Sequence, residues 1–223
     1  MDTTVNALIA SLVKADPNDG LPWAPAGLDR QDAYMAFCHS GGAGYTPDGF
    51  FHFFGPAGPV EHSLEQWNSS TQWHQHFGVD AAWFAFAEDG FGDQFCLRRD
   101  GRRPVVKVLD PWTGGFTMAA NGFGHFVSGE KLWEPLRSLY RNTTRLSGMQ
   151  FRKYCHLSPK IAPVLGGSAD IPDDFEWCSS PTNISLLGQL HFALKDVPPG
   201  SVVERVDVDP ATGQISLTFA NKI

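Results

Sequence analysis

The residues most able to do chemistry lie in one stretch, FAFAEDGFGDQFCL, at positions 84–97. Glu88, Asp89 and Asp93 surround Gly90 and Gly92 between two apolar runs. Two carboxylates across a cleft can work as acid and base on a glycosidic bond. Here Glu88 and Asp89 are adjacent, and the spacing fixes no second acid opposite them. A calcium loop needs oxygen ligands at alternate positions, and Phe91 and Phe95 stand where ligands belong. Glycine supplies positive φ in a turn, and short acids satisfy nearby amides. The segment therefore reads as a structural turn with its acids on a polar rim, where they can face a partner. Phe91 is either an anchor for that partner or a core residue, and the sequence favours the core.

His52, His62, His74 and His76 fall within 25 residues. With Asp48 or Asp80 they are the raw material of a metal-dependent hydrolase. Against that, SSTQWHQHFG reads as an aromatic loop or short helix, in which side chains two apart diverge. Cys38–His39 and Cys155–His156 are sequence neighbours, which by themselves cannot form a nucleophile–base pair, and no oxyanion motif accompanies them. The glycine pairs at 42/44, 90/92 and 122/124 lack the third glycine of a dinucleotide fingerprint. No catalytic residue, metal or cofactor is expected.

These groups need a scaffold, and the apolar pattern supplies one. Val5, Leu8, Ile9, Leu12 and Val13 predict a helix over 3–14, followed by a Pro/Gly-rich connector. A second helix is predicted over 29–39, closed by Gly41 and Gly42. Residues 50–54 read as a strand and 63–67 as a helical turn. Residues 83–87, 94–97, 105–109 and 116–120 predict a four-strand antiparallel meander, with Asp100–Gly101 as a hairpin turn. Residues 123–140 read as a helix in two pieces. After a basic connector, Asn183 is placed as the cap of a helix running to Lys195, and a hairpin turns around DPATG at 209–213. The sum is one α+β domain with a mixed, mainly antiparallel sheet and flanking helices. Residues 1–19 form its N-terminal helix, 20–145 its core, and 146–223 a C-terminal helix and hairpin extension.

Composition agrees with a globular chain: 42% hydrophobic and 18% charged over 223 residues. Val5–Val13 is too short to span a membrane and lacks the basic flank of a signal peptide. Four scattered cysteines without a CxxC fit reduced thiols, hence a cytoplasmic protein. The net charge of −7 is unevenly spread. From Gln31 through Leu97 there is no Lys or Arg, whereas residues 98–160 carry twelve basic side chains against four acidic. Arg98, Arg99, Arg102 and Arg103, with Arg137, Arg141 and Arg145, are read as a solvated surface, because the whole chain is acidic and carries no nucleic-acid motif. The acidic block suits a basic protein partner.

With these elements laid out, the chain resembles the SUKH superfamily of cell-wall-assembly regulators and bacterial toxin-immunity proteins. The resemblance rests on AYMAFCHSGGAG, on GFFHFFG, and on FAFAEDGFGDQFCLRRDGR, similar to that family's "GsDggGdlfalD" pattern. PVVKVLDPWTGG and NGFGHFV follow in order, and PVLGGSADIPDDF with NISLLGQLHFALKDVPPG is similar to the tail of longer bacterial members. Glu88–Asp89 stands where the family has Ser-Asp. The resemblance implies a non-enzymatic protein-binding module, and in bacteria an immunity protein that occludes a nuclease or deaminase toxin. A regulatory scaffold for a cellular protein is the alternative. The expected partner-facing residues are Glu88, Asp89, Phe91 and Asp93, or the acidic tail at Asp170, Asp173 and Asp174.

Overall fold

The computed structural model describes the chain except residues 1–2, 17, 20, 26–27, 29–31, 57–61, 70–72, 101–104, 129–149, 168–174, 199 and 221–223. Its centre is a six-stranded sheet hydrogen-bonded in chain order: β1 (Gly44–Tyr45), β2 (Phe51–Phe53), β3 (Trp83–Asp89), β4 (Gln94–Arg98), β5 (Val106–Asp110) and β6 (Gly115–Ala120). Every described pairing is antiparallel. The predicted meander is present, lengthened by two short strands ahead of it. β3 is buried along its whole length, because both faces of the sheet are covered, and this removes the polar/apolar alternation of a half-exposed strand.

Over one face lie α1 (Thr3–Ser11), α2 (Asp32–His39) and α5 (Phe123–Ser128). Tyr34, Phe37, Phe123 and Phe126 from these helices meet Phe53, Phe86 and Phe95 from the sheet, with ring centroids 5.1–5.7 Å apart. Tilted and edge-on contacts of this kind add to the burial of large apolar area. α1 stops at Ser11, short of the predicted helix, because Val13 leaves it to bridge Tyr45 on β1.

The opposite face carries α3 (Leu64–Trp67), α4 (His74–Phe77), α6 (Ser180–Leu194) and a two-stranded sheet of β7 (Cys155–Pro159) and β8 (Phe175–Ser179). Sequence reading took the β7 segment for a basic connector, so this small sheet is an addition. It also placed the α6 cap at Asn183. The cap is Ser179, whose hydroxyl accepts from Thr182 N, with Pro181 in the first turn, and Asn183 lies inside the helix. The C-terminal hairpin of β9 (Val203–Val208) and β10 (Ile215–Phe219) packs on α6 through Ile215 and Leu217. Gly101 and the second piece of the predicted 123–140 helix lie outside the described residues.

Candidate functional site

EDGFGD forms the β3–β4 turn. Asp89 Oδ1 accepts from the amides of Phe91 at 2.9 Å and Asp93 at 3.1 Å, as expected of a short acid in a turn. Gly92 sits at φ +96, and a Cβ there would lie 3.0 Å from His156 Nδ1 and 3.2 Å from Asn183 Nδ2, so it needs glycine for both conformation and space. The Gly90 carbonyl accepts from Leu157 N at 2.7 Å, joining the turn to β7.

That junction overturns the expected exposure of the turn. Glu88 is 2% exposed, Asp89 1% and Phe91 2%, while Asp93 is half-buried. The rim is sealed because β7, β8 and α6 pack across it. Phe91 is a core residue, ringed by Phe50, Trp112, Phe151 and Phe175 at 5.6–6.4 Å. None of Glu88, Asp89 and Phe91 can touch a partner while this packing holds. Asp170, Asp173 and Asp174 lie outside the described residues, and Glu176 beside them is exposed.

Glu88 is instead the hub of a buried polar chain. Its Oε1 lies 3.1 Å from His52 Nδ1 on β2, and its Oε2 lies 2.9 Å from His156 Nε2 on β7. Asn183 Nδ2 on α6 lies 3.0 Å from the other His156 nitrogen and fixes the plane of that ring. Gln94 extends the chain, donating to Gly92 O at 2.9 Å and accepting from Trp67 Nε1 at 2.6 Å. Burial alone would raise the Glu88 carboxyl. The field and hydrogen bond of His156, then those of His52, outweigh it and hold the group well below the ordinary carboxylate range. Tyr45 stacks flat on His52 at 4.2 Å, and its hydroxyl accepts from Tyr154 N at 2.7 Å. Tyr154 itself holds a positive φ of 59, a conformation that costs energy in a non-glycine residue.

His62 stands beside this chain, 4.6 Å from the Tyr154 ring, and among the described residues neither of its ring nitrogens has a hydrogen-bond partner. Burial pushes it down to about 4, so it is neutral at physiological pH. Of the 52–76 group, His52 belongs to the chain, whereas His74 and His76 do not join it. His74 gives its Nε2 to Trp83 O at 2.7 Å, and His76 lies against Gly188 on α6. Asp48 is engaged by Thr46 and Phe50 N, and Asp80 by Ala82 N and Arg98. Among the described residues, no three of His, Cys, Asp and Glu are arranged to hold a metal ion.

The thiols are no better placed for nucleophilic chemistry. Burial pushes Cys38 up to about 12 and Cys96 well above the ordinary range, and Cys155 is also raised. Sequence reading missed His156 and Asn183 as members of the polar chain. The available signal was an asparagine preceding the apolar positions Ile184, Leu187 and Leu190, and a histidine–cysteine pair at 155–156 with no other assigned role.

No family model and no curated protein matches this chain. Its fold is similar to the crystal structure of Atu4351 from Agrobacterium tumefaciens, at a TM-score of 0.51 and 15% identity, over 95% of this chain and 96% of that one. The likeness supports the α+β architecture over nearly the full length. Among the described residues, no helix is long and apolar enough to cross a membrane.

Proposed function

We propose that this protein is a cytoplasmic, non-enzymatic binding module of the SUKH type that occludes a basic protein partner, as an immunity protein occludes a nuclease or deaminase toxin. The observation that carries the reading is the β3–β4 turn. The resemblance gives EDGFGD the role of a structural turn, and here Asp89 ties down the two amides of that turn while Glu88 fastens β2 and β7. The groups that looked catalytic are thus spent on holding the fold. Charge selects the partner: within the stretch that lacks Lys and Arg, Asp32, Glu65 and Asp80 remain exposed. Complementary rim charges act mainly by steering encounter.

Testing it requires the partner in hand. The immobilised protein should retain a specific protein from a lysate of its own cells. Reconstitution with that purified protein should then give a stoichiometric complex whose association slows with added salt. Inhibition of a toxin activity in the complex supports immunity, and a housekeeping partner would favour the regulatory scaffold. Failure of any purified protein to form such a complex would refute the binding reading.

A further inference from the structure

The sheet brings three aspartates side by side on one face. Asp89 N donates to Asp93 O at 3.1 Å across the β3–β4 turn. Gln94 pairs with Leu109, so the next step along β4 and β5 sets Asp93 beside Asp110. Like charges directly opposite on neighbouring strands are destabilising. Asp110 is accounted for: its Oδ1 accepts from Trp112 N and Thr113 N, and its Oδ2 from the Thr113 hydroxyl. Asp89 is not. Its Oδ1 takes two amides, but its Oδ2 is buried and among the described residues has no hydrogen-bond partner.

The groups facing this row offer no compensation. Glu88, next along β3, is an acid, and the nearby His156 on β7 gives its Nε2 to Glu88. Burial, then the charges of neighbouring Asp89 and Asp110, raise the Asp93 carboxyl. Among the described residues, no Lys or Arg forms an ion pair with any of the three aspartates. An unpaired buried carboxylate oxygen carries a large desolvation penalty. A single proton removes both difficulties, by turning one repulsive pair into an acid–carboxylate hydrogen bond and by giving the orphan oxygen a partner.

We propose that Asp89 and Asp93 share one proton across the β3–β4 turn, and that the pair is a pH-sensitive latch beneath Phe91. When the proton leaves to solvent, the pair gains one negative charge next to Asp110. The repulsion falls on the turn that presents Phe91 to Phe151 and Phe175 in the C-terminal layer. Burial pushes Asp89 up to about 7 and raises Asp93 as well, so the latch releases near neutrality. A carboxyl raised in the folded state stabilises most fully below its unfolded pKa. That contribution is lost as pH rises through the folded value.

Carboxyl carbon shifts of the full chain, followed by NMR from about pH 5 to about pH 9, read the pair directly. We expect Asp89 and Asp93 to titrate together near neutrality, in step with shifts at Phe91. In parallel, the urea midpoint of the wild type should fall through that pH window relative to Asp89→Asn, which keeps the Oδ1 contacts and replaces the acid proton with an amide donor. Should Asp89→Asn fail to fold, Asp93→Asn makes the same comparison, because it also ends the repulsion. Both carboxyls fully ionised at about pH 5 would overturn the proposal. So would parallel midpoints in wild type and variant. Tight binding of calcium or magnesium at about pH 8 that restores the acid-form spectrum would also overturn it, by making the row a cation site.

Discussion

Glu88 and His156 meet at 2.9 Å with both side chains buried, joining β3 to β7 across 68 residues of sequence. A buried charge pair is weak evidence of net stabilisation, because desolvation opposes the attraction. Losing one member is a different matter, since the other is then buried without a partner. Here a single carboxylate serves histidines from two elements, so its removal frees both.

Glu88→Gln should therefore lower the unfolding free energy by roughly 3 kcal/mol, measured by urea denaturation near pH 7. The pH dependence has a definite sign. A carboxyl held below its ordinary range contributes stability that is present above about 4.5 and is lost as pH falls toward the folded value. The wild type should weaken in acid below about 4.5 more steeply than Glu88→Gln does.

Charge reversal of the turn distinguishes a rim from an interior. Exposed substitutions fall within about 0.5 kcal/mol, so two lysines at 88 and 89 would be tolerated on a rim. In the buried setting found here, Glu88→Lys with Asp89→Lys should abolish cooperative folding, as judged by circular dichroism and thermal melting. As a control, Glu65→Lys, at an exposed position, should melt like the wild type.

Phe91 is keyed among four aromatic rings at the junction of sheet and C-terminal layer. Phe91→Ala should cost about 3–5 kcal/mol, the range for emptying a core aromatic site. Hydrogen exchange should show the loss spreading to β7 and β8 rather than to α1 on the other face of the sheet.

His62 offers a second pH signature of opposite sign to the aspartate latch. A histidine held neutral by burial contributes stability that is present above its unfolded pKa of about 6.5 and is lost as pH falls toward about 4. The wild type should lose roughly 1–2 kcal/mol between pH 7 and pH 5 relative to His62→Phe. Taking the difference between the two proteins cancels the other titrating groups.

The meander was legible because its strands are largely apolar runs separated by segments rich in glycine, proline and aspartate, which are local signals. Phe91 was legible as core for a similar reason, being a large ring between two turn glycines. The burial of Glu88 and Asp89 was not. It depends on β7, where His156 lies 68 residues beyond Glu88 and residues 155–159 read as a connector until paired with β8. Asn183 was misplaced because asparagine is also a good helix cap, and only tertiary packing shows that Ser179 caps the helix while Asn183 turns to His156.

The central claim is that the acids of EDGFGD hold the fold while the protein acts by binding. The measurement that tests it most directly is a calorimetric titration of the purified protein with its purified captured partner, at low and high salt. The account predicts a saturable complex that weakens with salt, is weakened by Glu65→Lys with Asp80→Lys, and suppresses the partner's activity. Absence of a saturable complex, with the partner's activity unchanged by excess protein, would contradict it.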